Sequence, residues 1–205
     1  MSNLFVKYTG ILAIICGVSV GLVAAANEGT KDTIAKKHEA DTRAAYKVVL
    51  PELGDLKKLP APGGLITDVQ QSSKDGKPNG YIYTVTPSGY GGKVTLMVGI
   101  SKNGDKITGI KVMNHSETPG LGAKSTEPEW QAQFKGKALK DALAVTKQEP
   151  AKPNEIKAIT AATITSRAVV TGVNAAREDY MKNHANGKDL SLIHISEPTR
   201  RSYIS

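Results

Sequence analysis

The chain has 205 residues, 40% of them hydrophobic and 22% charged, room for one moderate domain and an appendage. Its formal net charge of +8 raises nucleic acid as a partner. The lysines are interspersed with acidic residues, however, and no stripe of aromatic and basic side chains accompanies them, so the charge reads as a solvated surface with no nucleic-acid partner. The single cysteine, Cys16, rules out an intrachain disulfide.

The appendage comes first. Residues 9–26, "TGILAIICGVSVGLVAAA", carry no charge and, with Leu4, Phe5 and Val6 upstream, suffice to cross a hydrocarbon core of roughly 30 Å. Ala24 and Ala26 would suit a signal-peptide cleavage site and Cys16 a lipid anchor. Ile15 is too bulky to precede a lipidated cysteine, only Lys7 charges the n-region, and the following segment continues as helix, so a retained transmembrane anchor is predicted over residues 1–28. Charge does not orient it, because Lys31, Lys36 and Lys37 on the far side compete with Lys7. Residues 29–50 read as an exposed helical stalk, with Glu39 and Arg43 one turn apart and few large apolar residues before Val48. Three prolines and three glycines in residues 50–67 then break the helix, and the globular domain is placed at 60–187.

Within it, residues 65–70 and 80–86 read as strands, and residues 93–101 and 105–115 as a hairpin across Asn103-Gly104. "ETPGLGAK" is a loop. "TEPEWQAQFKGK" is a short helix whose Trp130 and Phe134 share a face and belong in the core. A strand at 142–146 and the connector "KQEPAKPNE" lead to a helix in which Val169, Val173, Ala176 and Tyr180 form one apolar face. The fold class is therefore α+β, an antiparallel sheet with packed helices, preceded by one N-terminal transmembrane helix. Residues 191–205, "SLIHISEPTRRSYIS", continue no pattern and read as translated vector or adapter sequence.

Several chemistries can be set aside. "SGYGGKV" lacks the spacing and the Ser/Thr of a phosphate-binding P-loop and reads as a glycine turn. His115 and Glu117 have no third ligand at workable spacing, so no metal site is expected. There is no G-x-S-x-G elbow. Two segments rich in glycine, alanine and hydroxyls remain, "HSETPGLGAK" and "ITAATITS". The second stands at a helix N-terminus, whose free N–H groups and positive dipole suit either a Ser/Thr cap or a bound anion. Glycines let backbone approach a flat ligand closely. Together the segments suggest a planar, phosphorylated cofactor.

"GYGGKVTLMVGIS", "GDKITGIKVMNHSETPGLGAK" and "ITAATITSRAVVTGV" resemble the FMN-binding domain of the Rnf complex G subunit and of the C subunit of the Na+-translocating NADH:quinone reductase, and the resemblance runs from Met1 to about residue 185. It implies FMN joined by a phosphoester to the last threonine of an S/T-G-A-T sequence, here Thr163, and installed by a flavin transferase. It further implies that Glu117, Thr118, Gly120 and Leu121 line the isoalloxazine ring. Thr160, Thr165 and Ser166 would surround the ribityl phosphate, with Ala162 keeping the approach uncrowded. The implied role is an electron-relay subunit, not catalytic alone, of an ion-translocating ferredoxin:NAD oxidoreductase. Its partners would be the other membrane and peripheral Rnf subunits, and its flavin domain would lie on the extracytoplasmic side of the cell membrane. The short length and the wording ETPGLG favour the Rnf side. The alternatives are a C-type subunit of the quinone reductase and a membrane-anchored binding module without cofactor. Two departures stand out: Lys157 where many members have Asp, and Ala161 where the family has Gly, which matters only if φ is positive there.

Overall fold

The computed structural model describes residues 2–184, so the segment 191–205 lies outside the described residues. The chain divides into two compact units, the first ending at Ala44 and the second beginning at Ala45. One helix, α1 (Ser2–Val49), runs through the predicted anchor and stalk. In the first unit, Val6–Lys31 is long and apolar enough to cross a membrane, and none of it is buried in the protein. Further along, the Arg43 guanidinium lies 3.5 Å from the Glu39 carboxylate with both side chains mostly exposed, a pair worth a few tenths of a kcal/mol to the helix.

The second unit is built on a five-stranded antiparallel sheet in chain order. Its strands are β1 (Asp55–Leu59), β2 (Ile66–Lys74), β3 (Lys77–Val85), β4 (Thr95–Ser101) and β5 (Ile107–Asn114). A 3-10 turn (Gly122–Thr126), α2 (Pro128–Ala132), a short parallel pair of β6 (Ala144–Thr146) and β7 (Glu155–Lys157), and α3 (Thr163–Asn183) follow. The hairpin expected at Asn103-Gly104 is β4–β5, with Gly104 at φ +64. β2 and β3 are longer than their apolar residues suggest, because Asp75 and Gly76 both take positive φ and close a tight hairpin turn. β1 falls within the Pro/Gly stretch: it is an edge strand with mostly exposed side chains, so it carries no apolar alternation and is held by its backbone pairing to β2. β7 lies in the region of the predicted connector and gives little sequence signal, because only Ile156 of its three residues is buried.

Strand alternation sorts the sheet into two covered faces. Tyr81, Tyr83 and Val85 of β3 and Leu96, Val98 and Ile100 of β4 join the main core. The predicted face of α3 packs there: Val169, Val173, Ala176 and Tyr180 are all buried, as are Trp130 and Phe134, whose rings meet edge-on at 5.3 Å. On the opposite face, Ile82 and Met97 pack against Ala45, Val49 and Leu50 from the end of α1 and just beyond it. Glycines make room for that turn. A Cβ on Gly80 would strike the Leu50 side chain, and one on Gly99 would strike the Val49 carbonyl and the Thr108 hydroxyl, which themselves are hydrogen-bonded. Since Gly99 pairs with Ile82 on one side and Gly109 on the other, the requirement belongs to a trough across adjacent strands. Gly99→Ala is expected to destabilise the domain by about 1–3 kcal/mol through this overpacking, read as a lower denaturant midpoint with an unchanged slope.

Candidate functional site

The two segments rich in glycine, alanine and hydroxyls, far apart in sequence, meet at the N-terminus of α3. Its N-cap is Ala162, which offers no side-chain cap. The first intrahelical bond is Ser166 N–H to the Ala162 carbonyl at 3.1 Å, and the N–H groups of Thr163, Ile164 and Thr165 have no partner among the described residues. The hydroxyls around this end do not serve as caps. Ser166 is fully buried: its Oγ accepts from Ile159 N–H at 2.9 Å and donates to the Ala162 carbonyl at 3.0 Å, clamping the turn that enters the helix. Thr165, also buried, donates to Glu117 Oε2 at 2.7 Å. Each of these two hydroxyls already donates its proton inside the protein. The Thr163 hydroxyl is different. It is half-buried and makes no hydrogen bond to any described residue.

Glu117 ties the two segments together. Its Oε1 accepts from Tyr90 N–H at 2.9 Å and Gly91 N–H at 3.0 Å, while Oε2 takes the Thr165 hydroxyl. The Glu117 N–H in turn donates to His115 Nδ1 at 3.2 Å, and the described residues contain no group of three or more potential metal ligands. A Cβ on Gly89 or Gly122 would run into the Glu117 carboxylate, so these glycines are required by the closeness of that buried side chain. The glycine turn "SGYGGKV" is thereby fastened to the helix mouth, and Glu117 acts as a positioning residue.

A cleft of about 420 Å³ opens at this junction, of a size usual for small-molecule sites. Of the predicted residues it brings together Glu117, Thr118, Leu121, Ala162, Thr163 and Thr165. Gly120 does not line it; that residue has φ +77 and open space around it. Thr160 lines a second hollow of about 250 Å³ beside Lys147, and Thr163 borders both spaces. Three lining residues carry large apolar side chains with unusual exposure: Tyr90 at 74%, Ile164 at 53% and Leu121 at 41%. Sequence reading misses Tyr90 and Ile164. The available signals are an aromatic side chain inside a glycine turn and an isoleucine off the buried face of α3. Nothing in the sequence points to Lys147.

Ala161 adopts φ +63, so the departure from glycine does matter. The left-handed conformation costs a non-glycine residue roughly 1–2 kcal/mol, partly offset because glycine leaves the unfolded chain more freedom. Ala161→Gly is expected to raise stability by about 1 kcal/mol or less, measured by denaturant unfolding.

This arrangement suits a flat group with an anionic arm: an exposed apolar rim, and uncapped N–H groups beside an uncommitted hydroxyl. The family described as FMN-binding domain matches residues 89–178, which span both segments, and the chain carries such a domain. A second family, the RnfG N-terminal region, matches residues 1–49. The chain is 37% identical over 190 residues to the G subunit of the Na+-translocating ferredoxin:NAD+ oxidoreductase complex of Acetobacterium woodii, covering 83% of this chain and 88% of that one. It is 32% identical over 208 residues to the G subunit of the ion-translocating oxidoreductase complex of Shewanella baltica, covering 94% and 97%. Among solved structures, the C subunit of the Na+-translocating NADH-quinone reductase of Parabacteroides distasonis is similar at 28% identity and TM-score 0.50, over 56% of this chain and about 61% of that one. The protein belongs to the family of G subunits of ion-translocating oxidoreductase complexes.

Proposed function

We propose that this chain is the membrane-anchored flavoprotein subunit of an Rnf-type ion-translocating ferredoxin:NAD oxidoreductase, with FMN held by a phosphoester bond to Thr163. The observation that carries this reading is the half-buried, unbonded Thr163 hydroxyl at the uncapped start of α3, where the two hollows meet. FMN supplies reversible electron transfer when bound. The protein's share is positional. Tyr90, Leu121 and Ile164 offer the apolar rim for the ring, with Thr118 beside it. The free N–H groups of α3 and the Lys147 ammonium offset the single negative charge that a phosphodiester keeps. Glu117 holds the Tyr90-Gly91 turn against the helix, so the ring wall and the attachment point form one body.

We assign formation of the phosphoester bond during maturation to a flavin transferase acting on a flavin donor activated as a phosphoanhydride. The Thr163 oxygen bonds to the FMN phosphorus as the anhydride P–O bond breaks, the rest of the donor leaves as a phosphate monoester, and the hydroxyl proton is released. The remaining partners are the other membrane and peripheral subunits of the complex. Protein produced with the transferase is expected to be yellow and heavier by one FMN, and a colourless chain of unmodified mass would overturn the reading in favour of a cofactor-free binding module. The flavin domain is placed outside the cytoplasm. In a Cys16→Ser background, a cysteine introduced at exposed Lys74 should then react with a membrane-impermeant maleimide in intact cells. Labelling only after lysis would reverse the topology.

A further inference from the structure

Away from the cleft just described, and sharing no lining residue with it, two hollows of about 370 and 320 Å³ lie along β5. Thr108 and Lys135 line both, so the two adjoin as one channel-like tract bordered by the end of α1 and by α2. Its exposed apolar surface is Val48, at 56%, while Leu50, Ile107 and Ile110 border it from the buried cores. Its charged residues are nearly all of one sign. Lys102, Lys106, Lys111 and Lys135 line it against the single carboxylate of Glu52, and none of the four forms a salt bridge within the described residues. Asp105, next to Lys106, is bonded to the Ser101 hydroxyl.

We propose that this channel docks an extended, acidic segment of another polypeptide chain. Lys106 and Lys111, five residues apart, spread the positive charge over roughly 17 Å of strand. That length, with Thr108 and Gly109 between the charges, fits several residues of extended chain better than one lipid headgroup. The chain's own residues 185–205 are a poor occupant, because Lys188, Arg200 and Arg201 outnumber Asp189 and Glu197. A second copy would bring the same lysines. Exposed ion pairs contribute little affinity singly, so the lysine charges select the partner and speed its encounter while Val48 and the methylene stems of the lysines give it apolar contact.

The test uses the full chain in its native membranes, with photoreactive benzoylphenylalanine at Ala132, an exposed channel position that leaves all four lysines intact. Irradiation is expected to yield an adduct with one polypeptide segment in which Asp and Glu outnumber Lys and Arg. The yield should fall roughly fivefold or more in the Lys106→Glu/Lys135→Glu background. It should fall similarly in the otherwise wild-type chain when salt rises from about 0.05 to about 0.5 M, a readout that does not depend on the double variant folding. Flavin content, set by the other cleft, should stay the same, which separates failure here from failure of the FMN reading. Adducts only with phospholipid, a second copy or the chain's own residues, no adduct, or a yield indifferent to salt would each overturn the proposal.

Discussion

Thr163→Ala is expected to remove the fluorescent flavin band from a denaturing gel and the FMN increment from the intact mass, with little effect on the fold. Thr163 is the first residue of α3, yet its hydroxyl caps nothing, so no capping bond is lost and the stability change should stay below about 1 kcal/mol. The neighbouring hydroxyls provide internal controls. Thr160→Ala should keep the covalent flavin, because Thr160 makes no bond to the protein and lines only the second hollow. Thr165→Ala should also keep it, while losing about 1–3 kcal/mol of stability, since Glu117 Oε2 is left without its buried donor. A fluorescent band that survives denaturation in the Thr163→Ala protein would place the attachment elsewhere.

Glu117→Ala should produce the largest loss of stability at the site. It orphans two backbone N–H groups and the Thr165 hydroxyl and empties the space between Gly89 and Gly122. Tyr90 and Gly91 are exposed, so water takes over part of the lost bonding, and the cost is about 3 kcal/mol, less than the sum of three buried losses. Glu117→Gln keeps a carbonyl for the two N–H groups and turns its amide toward a hydroxyl that can accept. That change should cost only about 1 kcal/mol. Denaturant midpoints measure both, and quenching of flavin fluorescence by iodide should increase in the alanine variant as the Tyr90 wall comes loose. Equal midpoints for wild type and Glu117→Ala would show that the carboxylate does not fasten the two segments.

Much of this protein is legible in its local chemistry. The apolar run that begins α1, the Asn103-Gly104 hairpin, the Trp130–Phe134 pair and the buried face of α3 all follow from side-chain periodicity and turn residues within a few positions of one another. The motif segments are visible for the same reason, as clusters of small and hydroxyl residues in a predicted loop and at a predicted helix mouth. What each residue does there is decided by contacts that no local window contains. Glu117 and Thr165 are 48 residues apart, and their hydrogen bond makes Glu117 an internal fastening as well as a residue of the cleft and engages the Thr165 hydroxyl proton. Thr163 stands out because the Thr165 and Ser166 hydroxyls are engaged with the protein while its own is not and, unlike the equally unbonded Thr160, it borders the cleft. Glycines 89, 99 and 122 look alike in the sequence; each is demanded by a group brought in from another element, a carboxylate or the last turn of α1, with no room for a Cβ. Hydropathy and propensity act along the chain, so they specify which elements form and which faces are apolar. Hydrogen-bond closure of a buried carboxylate and the space left beside a backbone are properties of the packed assembly, and only the tertiary structure settles them.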